Sequence, residues 1–431
     1  MGDIGTGGID LGDKRRTIRL VEFLERASTD SQASIAQLGE TRHTSKAYYR
    51  LLDNDHLDPY QILEEHTKSV QERAKEHPVV LCIQDTTELN YSSKPSIEGL
   101  GRLCYDAQHG MYLHPTLMVT PQGMPLGITD MWTWARQPKD QPDIKESLRW
   151  KEGFERVCEL ADDQPNTRYV YVADRESDLL DIIDAGIRLQ HPADYVIRAK
   201  HSRLLADEKK LFDITTDEYK LGQVEFVMPR GRGKAKRAVI QTIYAKRVQL
   251  KTGQSLTIII AQELSPPKDS PAVVWRFISN RIVNSLESAS ELVDWYRKRW
   301  LIETLFNIFK TGCRMENRLL GTMVRLERLL MLYLLISYRI LLITMLSRTS
   351  PDISCETLFS RDEWQVAYQI RYKKKPPSKP IGLQAMTMIV AGFGGHLGRK
   401  GDGDAGAKTI WQGLLKLGDF TYAAQMLSSV K

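Results

Sequence analysis

Cysteine is scarce. Cys82, Cys104, Cys158, Cys313 and Cys355 are the only five in 431 residues, with no close pair and no Cys-x-x-Cys spacing. An odd, scattered set supports neither a disulfide framework nor a thiolate metal site, and it points to a reducing interior. Histidines are dispersed too, and none of His43, His109, His114, His191 or His201 falls in a zinc pattern. No leader is legible at the start: Met1 to Gly8 is small and polar, where a signal sequence is basic and then apolar. Long hydrophobic runs are also lacking. Only Leu329 to Leu346 approaches a membrane span, and Ser337, Tyr338 and Arg339 in its middle would be costly in lipid. That stretch reads as a buried core helix, and the chain as a cytoplasmic protein with no membrane partner. Gly392-Phe-Gly-Gly-His-Leu-Gly398 is too loose for a phosphate loop, and Asp402-Gly-Asp404 lacks the glutamate that closes a calcium hand. Both read as loops, and no internal repeat is visible.

Composition is that of a folded globular chain, long enough for two or three domains. The net charge of +6 is modest, but the cations are concentrated: Arg198, Lys200 and Arg203, then Arg230, Arg232, Lys234, Lys236 and Arg237. Such clusters favour a polyanion, and DNA fits better than a membrane surface because no basic amphipathic helix accompanies them. The run from Arg230 to Arg237 reads equally as a charged hairpin loop. Three parts emerge. Residues 1–58 are polar and mostly helical, with Lys14, Arg15, Arg16 and Arg19 close together. Residues 59–346 hold the chemistry-bearing pattern, and residues 347–431 run through the basic, proline-rich stretch from Arg371 to Pro380 into a helical tail.

Within the middle part, Val79 to Ile83 is a short apolar run followed by Gln84-Asp85-Thr86-Thr87. Tyr169 to Ala173 is another, followed by Asp174-Arg175-Glu176-Ser177-Asp178. Each predicts a buried strand with a carboxylate at its C-terminal end, where ligands of α/β sheets bind. Taken singly, each aspartate also suits a turn or a helix cap. The segment from Tyr296 to Lys310 predicts one helix, and at about 100° per residue Tyr296, Arg299, Glu303 and Lys310 share a stripe about 60° wide. Trp295, Ile302, Phe306 and Phe309 form the adjoining apolar face. The stripe could be a solvated face with an Arg299–Glu303 pair, or it could present a carboxylate and cations to a metal ion and a phosphodiester. Two strand-end aspartates and a helical glutamate can supply oxygen ligands to a pair of Mg²⁺ ions about 3.5 to 4 Å apart.

Together these segments resemble the DDE transposases of the insertion-sequence-four family, in its Tn-five group. Tyr296, Arg299, Glu303 and Lys310 match the Tyr-x2-Arg-x3-Glu-x6-Lys signature of that family at every position. Asp85 in Gln-Asp-Thr-Thr-Glu-Leu-Asn-Tyr and Asp174 in Asp-Arg-Glu-Ser-Asp resemble the contexts of its first and second catalytic aspartates. Further matches run from Leu11-Gly-Asp-Lys-Arg-Arg-Thr-Ile-Arg-Leu20 through Pro121-Gln-Gly-Met-Pro-Leu-Gly127 to Ile410-Trp-Gln-Gly413.

The resemblance implies an α/β chain with a ribonuclease H-like catalytic core at 59–346, interrupted by a mostly β insertion at about 195–290. It also implies a helical end-binding domain at 1–58 and a helical dimerisation tail at 347–431. Runs such as Tyr195 to Arg198, Ala238 to Tyr244, Leu256 to Ile260 and Ala272 to Ile278 read as the strands of that insertion. It further implies that Asp85, Asp174 and Glu303 hold two Mg²⁺ (or Mn²⁺) ions, that Arg299 and Lys310 grip DNA phosphates near the cut bond, and that Tyr296 packs or hydrogen-bonds against the DNA backbone. Trp275 matches the tryptophan that stacks a flipped base in a hairpin intermediate, an exchange an indole can support; otherwise it reads as a core strand residue. Trp300 lies beside the signature, as a DNA contact or as packing. Arg15, Arg16, Arg198, Lys200 and Arg203 match basic positions on transposon-end DNA. The implied partners are double-stranded DNA, as terminal inverted repeats and as target, and a second copy of the chain, paired on that DNA around Trp411 to Leu427.

One departure stands out. Family members carry a further helical segment upstream of the Leu-Gly-Asp-x-Arg-Arg motif, whereas only ten residues precede Leu11 here. This opens a competing expectation, a shortened regulatory protein that dimerises with and inhibits a full-length transposase. A separate one is a ribonuclease H-like nuclease that only cuts, against which the match of Trp275 and the length of the resemblance argue. A pure inhibitor needs no metal site, so Asp85, Asp174 and Glu303 favour the enzyme.

Overall fold

A computed structural model describes residues 11–94, 97–138, 141, 145–228, 237–268, 271–399 and 401–429. Arg230, Arg232, Lys234 and Lys236 lie outside the described residues. In chain order the elements are α1 (Lys14–Thr29), α2 (Ile35–Gly39), α3 (Arg42–Leu52), α4 (Pro59–Ala74), β1 (Val79–Gln84), β2 (Thr87–Asn90), β3 (Gly101–Arg102), β4 (His109–Val119), β5 (Pro125–Trp134), α5 (Leu148–Asp163), β6 (Arg168–Ala173) and α6 (Leu180–Arg188). They continue with β7 (Asp194–Arg198), β8 (Lys220–Met228), β9 (Arg237–Gln249), β10 (Ser255–Glu263), β11 (Val274–Ser279), α7 (Leu286–Arg297), α8 (Trp300–Asn307), α9 (Met323–Thr349), α10 (Arg361–Tyr372), α11 (Leu383–Phe393) and α12 (Ala407–Ser429). The chain divides into two compact units: Lys75–Asp85 with Ile144–Trp300, and Met1–Ala74, Thr86–Asp143 and Leu301–Lys431.

The first of these units is built on β1, β6 and β7, which pair in parallel. Past the first residue of β1 and of β6 every position is buried, as near-continuous apolar runs demand when both faces of a sheet are covered. Helix α5 packs on β1 and β6, with Trp150, Phe154, Val157 and Cys158 buried. Beyond β7 the sheet turns antiparallel through β11, β10, β9 and β8. At the start of β9 residues alternate, with Val239 and Gln241 buried while Ala238 and Ile240 face out, whereas Leu256 to Ala261 of β10 are buried without a break. On a flat sheet β8 and β11 would lie about 14 Å apart, three strand spacings. Yet the rings of Phe226 on β8 and Trp275 on β11 stack with centroids 5.3 Å apart, so this part of the sheet is strongly curled.

The other unit surrounds α9, the one described helix long and apolar enough to cross a membrane. It is buried instead. The residues that would interrupt a membrane span have internal partners: Ser337 Oγ donates to Tyr333 O (2.7 Å), Tyr338 Oη to Leu126 O (2.9 Å) and Arg339 Nη2 to Leu358 O (2.9 Å). Strands β4 and β5 form a hairpin, and β2 and β3 pair with β4. Helices α1, α4, α11 and α12 pack on α9. One expectation needs correction here. Trp411, Leu414 and Leu417 of α12 are buried within this unit, so they are not an open dimer surface. Their apolar area is used in docking the tail helix onto its own chain, and Gly312 lies against the Trp411 ring with no room for a side chain to spare. The large hydrophobic residues that α12 leaves exposed are Tyr422, Met426 and Leu427.

Candidate active site

Strand β1 ends at Gln84 and β6 at Ala173, and these two residues are partners in the parallel ladder. Asp85 and Asp174 are therefore the next residues out on two adjacent strands, about 4.8 Å apart along the sheet. Gln84 is fully buried, and its amide lies so close to Gly153 of α5 that a Cβ there would collide with it. A glycine in mid-helix costs about 0.5 to 1 kcal/mol relative to alanine. Here it admits the residue that places Asp85. Asp174 combines both roles read from the sequence: it closes a strand, and its Oδ1 accepts from Glu176 N (2.9 Å) to cap the 3₁₀ turn Arg175–Ser177. Asp85 Oδ2 accepts from Arg299 Nη1 at 2.5 Å, and the two side chains are only 18% and 16% exposed, so the pair is largely withdrawn from water.

The single helix expected from Tyr296 to Lys310 is not formed. Helix α7 stops at Arg297, and Lys298 N and Arg299 N reach back three residues, to Trp295 O (3.0 Å) and Tyr296 O (2.9 Å). Helix α8 then starts at Trp300, and a π turn, Ile308–Gly312, carries Lys310. A tightened turn and a widened turn each change the angle per residue, so one wheel cannot place all four signature residues on one stripe. Tyr296 shows the consequence. It is 6% exposed, its ring lies 4.6 Å from that of Phe277, and burial pushes its phenol pKa up. That is a core position, which corrects the expectation of a surface phenol. Glu303, half-buried, is the only acidic residue of α8. Lys310 Nζ donates to Glu88 O (2.7 Å) and lies 3.4 Å from Glu316 Oε1. Trp300 is 66% exposed, which removes core packing as its explanation.

The basic positions divide. Arg198, half-buried, ends β7, and Lys200 is exposed just beyond it. Arg203 is instead committed to Asp178: Nη1 donates to Oδ1 and Nη2 to the Asp178 carbonyl (2.8 Å). Arg15 and Arg16 occupy the first turn of α1, which holds no acid of its own. Asp13 Oδ1 caps that turn through Arg15 N (2.8 Å), and Arg16 Nη1 donates to Leu11 O (3.3 Å). Cations at a helix N-terminus oppose its dipole by a few tenths to about 1 kcal/mol, so stability is not what places them. Trp275 is half-buried with Phe226 on one face, and Phe226 lies in turn 4.7 Å beneath the Arg297 guanidinium. Sequence reasoning missed Phe226 and Asp178. Phe226 carried no signal, whereas Asp178 was visible as the closing acid of Asp-Arg-Glu-Ser-Asp.

Among the described residues no three His, Cys, Asp or Glu side chains are gathered closely enough to hold a metal ion. The donor chemistry of the Asp85 and Asp174 strand ends does fit a hard divalent cation, since both offer carboxylate oxygens from neighbouring strands.

Family models match the chain in three places: a transposase DNA-binding domain at residues 5–57, a transposase DDE domain at 151–339 and the Tn5 transposase dimerisation domain at 335–430. The DDE match contains Asp174, Glu303 and the rest of the signature, and begins downstream of Asp85. Among solved structures, the chain is similar to the piggyBac transposase in its synaptic complex with hairpin DNA, seen by cryo-electron microscopy. They are 9% identical with a TM-score of 0.41, over 78% of this chain and 67% of that one. A TM-score below 0.5 establishes no common fold. The three family matches, in the order DNA-binding, DDE and dimerisation, are what decide: the chain belongs to the DDE transposases resembling that of Tn5.

Proposed function

We propose that this chain excises and inserts a mobile DNA element by cut-and-paste transposition, through strand nicking, a hairpin intermediate and strand transfer. The observation that carries the reading is the placing of Asp85 and Asp174 side by side at the ends of paired parallel strands. With Glu303 they would be the oxygen ligands of two Mg²⁺ (or Mn²⁺) ions, which when bound activate a water or a 3′-hydroxyl for in-line attack on a phosphodiester. Arg299 donates to one oxygen of Asp85, and its planar guanidinium is of the kind that meets a phosphate near the cut bond. The Lys310 ammonium, steadied on the Glu88 carbonyl, would meet a second phosphate as a point charge. Trp275 has one ring face on Phe226 and would stack an extruded base on the other. Arg15, Arg16, Arg198 and Lys200 would contact backbone phosphates of the terminal repeats. The ribonuclease H-like description fits the parallel β1, β6 and β7; Tyr195 to Arg198, expected as a strand of the insertion, pairs in parallel with β6 instead, which would leave β8 to β11 as the insertion.

The test is cleavage of terminal-repeat DNA, taken from the sequence flanking the gene, with Mg²⁺ and with each carboxylate replaced. Nicking that survives loss of Asp85, Asp174 or Glu303 removes that residue from the site. The paired-end complex would be a dimer joined partly through the exposed end of α12. Tyr422→Glu with Leu427→Glu should weaken the two-ended complex about tenfold in native gels and spare single-end binding. An unchanged two-ended band places the contact elsewhere.

A further inference from the structure

Asp178 lies four residues beyond Asp174, and nothing above gives it a role in the chemistry. Its side chain is 0% exposed. A carboxylate so placed is costly unless it is paired and hydrogen-bonded. Asp178 is fully answered: Oδ2 accepts from Lys200 N (2.6 Å) and His201 N (2.9 Å), Oδ1 accepts from Arg203 Nη1, and its carbonyl accepts from Arg203 Nη2 (2.8 Å). All these donors come from the turn that leaves β7, which carries Arg198 and Lys200. The turn is held at both ends, since Ala199 N donates to Arg276 O (2.7 Å) and Leu211 N to Arg203 O (2.8 Å).

The other side of the link is equally fixed. Between Asp174 and Asp178 the chain makes one 3₁₀ turn, capped by Asp174 itself. Ser177 Oγ is hydrogen-bonded to the buried Tyr171 hydroxyl (3.0 Å), and Glu176 Oε2 accepts from Arg149 Nη2 (3.1 Å). A short, fully bonded path therefore joins a strand-end carboxylate to half-buried Arg198 and exposed Lys200. Arg203 differs from both, its charge turned inward onto Asp178.

We propose that Asp178 is a positioning residue that holds Arg198 and Lys200 at a set offset from Asp174, so that a backbone phosphate gripped by the two cations registers the DNA on the cleavage site. This rests on the reading of Arg198 and Lys200 as phosphate contacts. It also assigns Arg203 a different part from the one its charge suggests, that of Asp178's buried counter-ion.

The experiment measures binding of the full chain to a 30-base-pair duplex of arbitrary sequence across a salt series. Each lost phosphate contact should make the slope of log K against log salt shallower by about 0.9. Arg198→Ala and Lys200→Ala are each expected to remove about one such step. Asp178→Asn, which keeps the shape and loses the charge, should remove about two. In the Asp178→Asn background the two alanine substitutions should then remove almost nothing more. A purely structural role for Asp178 would lower thermal stability and leave the alanine effects whole, and that additivity overturns the proposal. An unchanged slope in Asp178→Asn overturns it too. If Arg198→Ala and Lys200→Ala leave the native slope intact, the phosphate reading itself fails, a separate outcome that takes this proposal with it. Should Asp178→Asn not fold, Arg203→Lys keeps the charge and loses the two-pronged grip. It should cost about one step and halve the effect of Arg198→Ala, and full additivity there is equally decisive.

Discussion

The two halves of the sheet in the unit Lys75–Asp85 with Ile144–Trp300 treat their side chains in opposite ways. In β1 and β6, nearly every side chain is buried, and polar chemistry is confined to where the strands stop, at Asp85 and Asp174. In β8 and the first half of β9, exposed residues alternate with buried or half-buried ones, and the sheet curls, so Trp275, Phe226 and Arg237 lie on its strands. A sheet covered on both faces can offer a ligand only its ends, whereas one open on a face can offer a surface. Asp85 and Asp174 thus stand at strand ends, whereas Phe226, Trp275 and Arg237 lie on the strands of the other half. This is the division that a cutting site and a DNA-holding surface would need.

The comparison is broken most severely at the strand ends. Replacing Asp85, Asp174 or Glu303 by alanine should lower nicking by more than about a hundredfold, beyond the cost of losing a mere second-sphere partner of a metal. Binding of terminal DNA, measured in parallel, should change little. In the curled half the largest effect should come from packing. Phe277→Ala removes a fully buried ring that touches Tyr296 and should destabilise this unit by about 3 to 5 kcal/mol, read as a lower denaturation midpoint by tryptophan fluorescence. A shift under about 1 kcal/mol would mean that the antiparallel strands do not share a core with α7.

Trp275→Ala tests the surface function with a smaller effect. Loss of a base stack of about 1 to 3 kcal/mol should reduce hairpin product about 5- to 150-fold while the first nick survives, which denaturing gels resolve. Unchanged hairpin yield would confine Trp275 to its packing on Phe226. The smallest expected effect is electrostatic. The Arg237 guanidinium, then the Val273 N–H (2.8 Å), hold buried Glu263 below the usual carboxylate range in spite of desolvation. A lowered folded pKa gives stability that is present above the ordinary carboxylate pKa and lost as pH falls through the folded value. Acidification below about pH 4 should therefore loosen the curled strands, and Glu263→Gln should flatten that pH dependence in a melting series.

The legible parts of this molecule are those set by local chemistry. Val79 to Ile83 and Tyr169 to Ala173 are apolar runs of strand length ending in Asp, and they form β1 and β6 with the aspartates at their ends. The later runs likewise form β7, β9, β10 and β11. The helical wheel failed at Lys298 and Arg299, because three-residue hydrogen bonds replaced four-residue ones where α7 ends. It was misleading for Tyr296, which packs on Phe277, a residue nineteen positions earlier that no local pattern couples to it. Cation clusters were equally ambiguous. Arg198 and Arg203 look alike in sequence, yet only Arg203 meets a buried carboxylate.

By itself the sequence determined the strands, their terminal acids, the family signature from Tyr296 to Lys310 and the sign of the surface charge. All of these depend on residue type and spacing along a few turns or one strand. Tertiary structure alone decided that Asp85 and Asp174 would be neighbours and that Arg299 would lie on Asp85. It also decided that Trp411 would be spent inside the fold, and that Asp178 would tie the β7 turn to the Asp174 loop. The physical reason is that burial and charge pairing depend on which distant segments fold together, and a residue's cost or use in the interior is set by the partners it finds there.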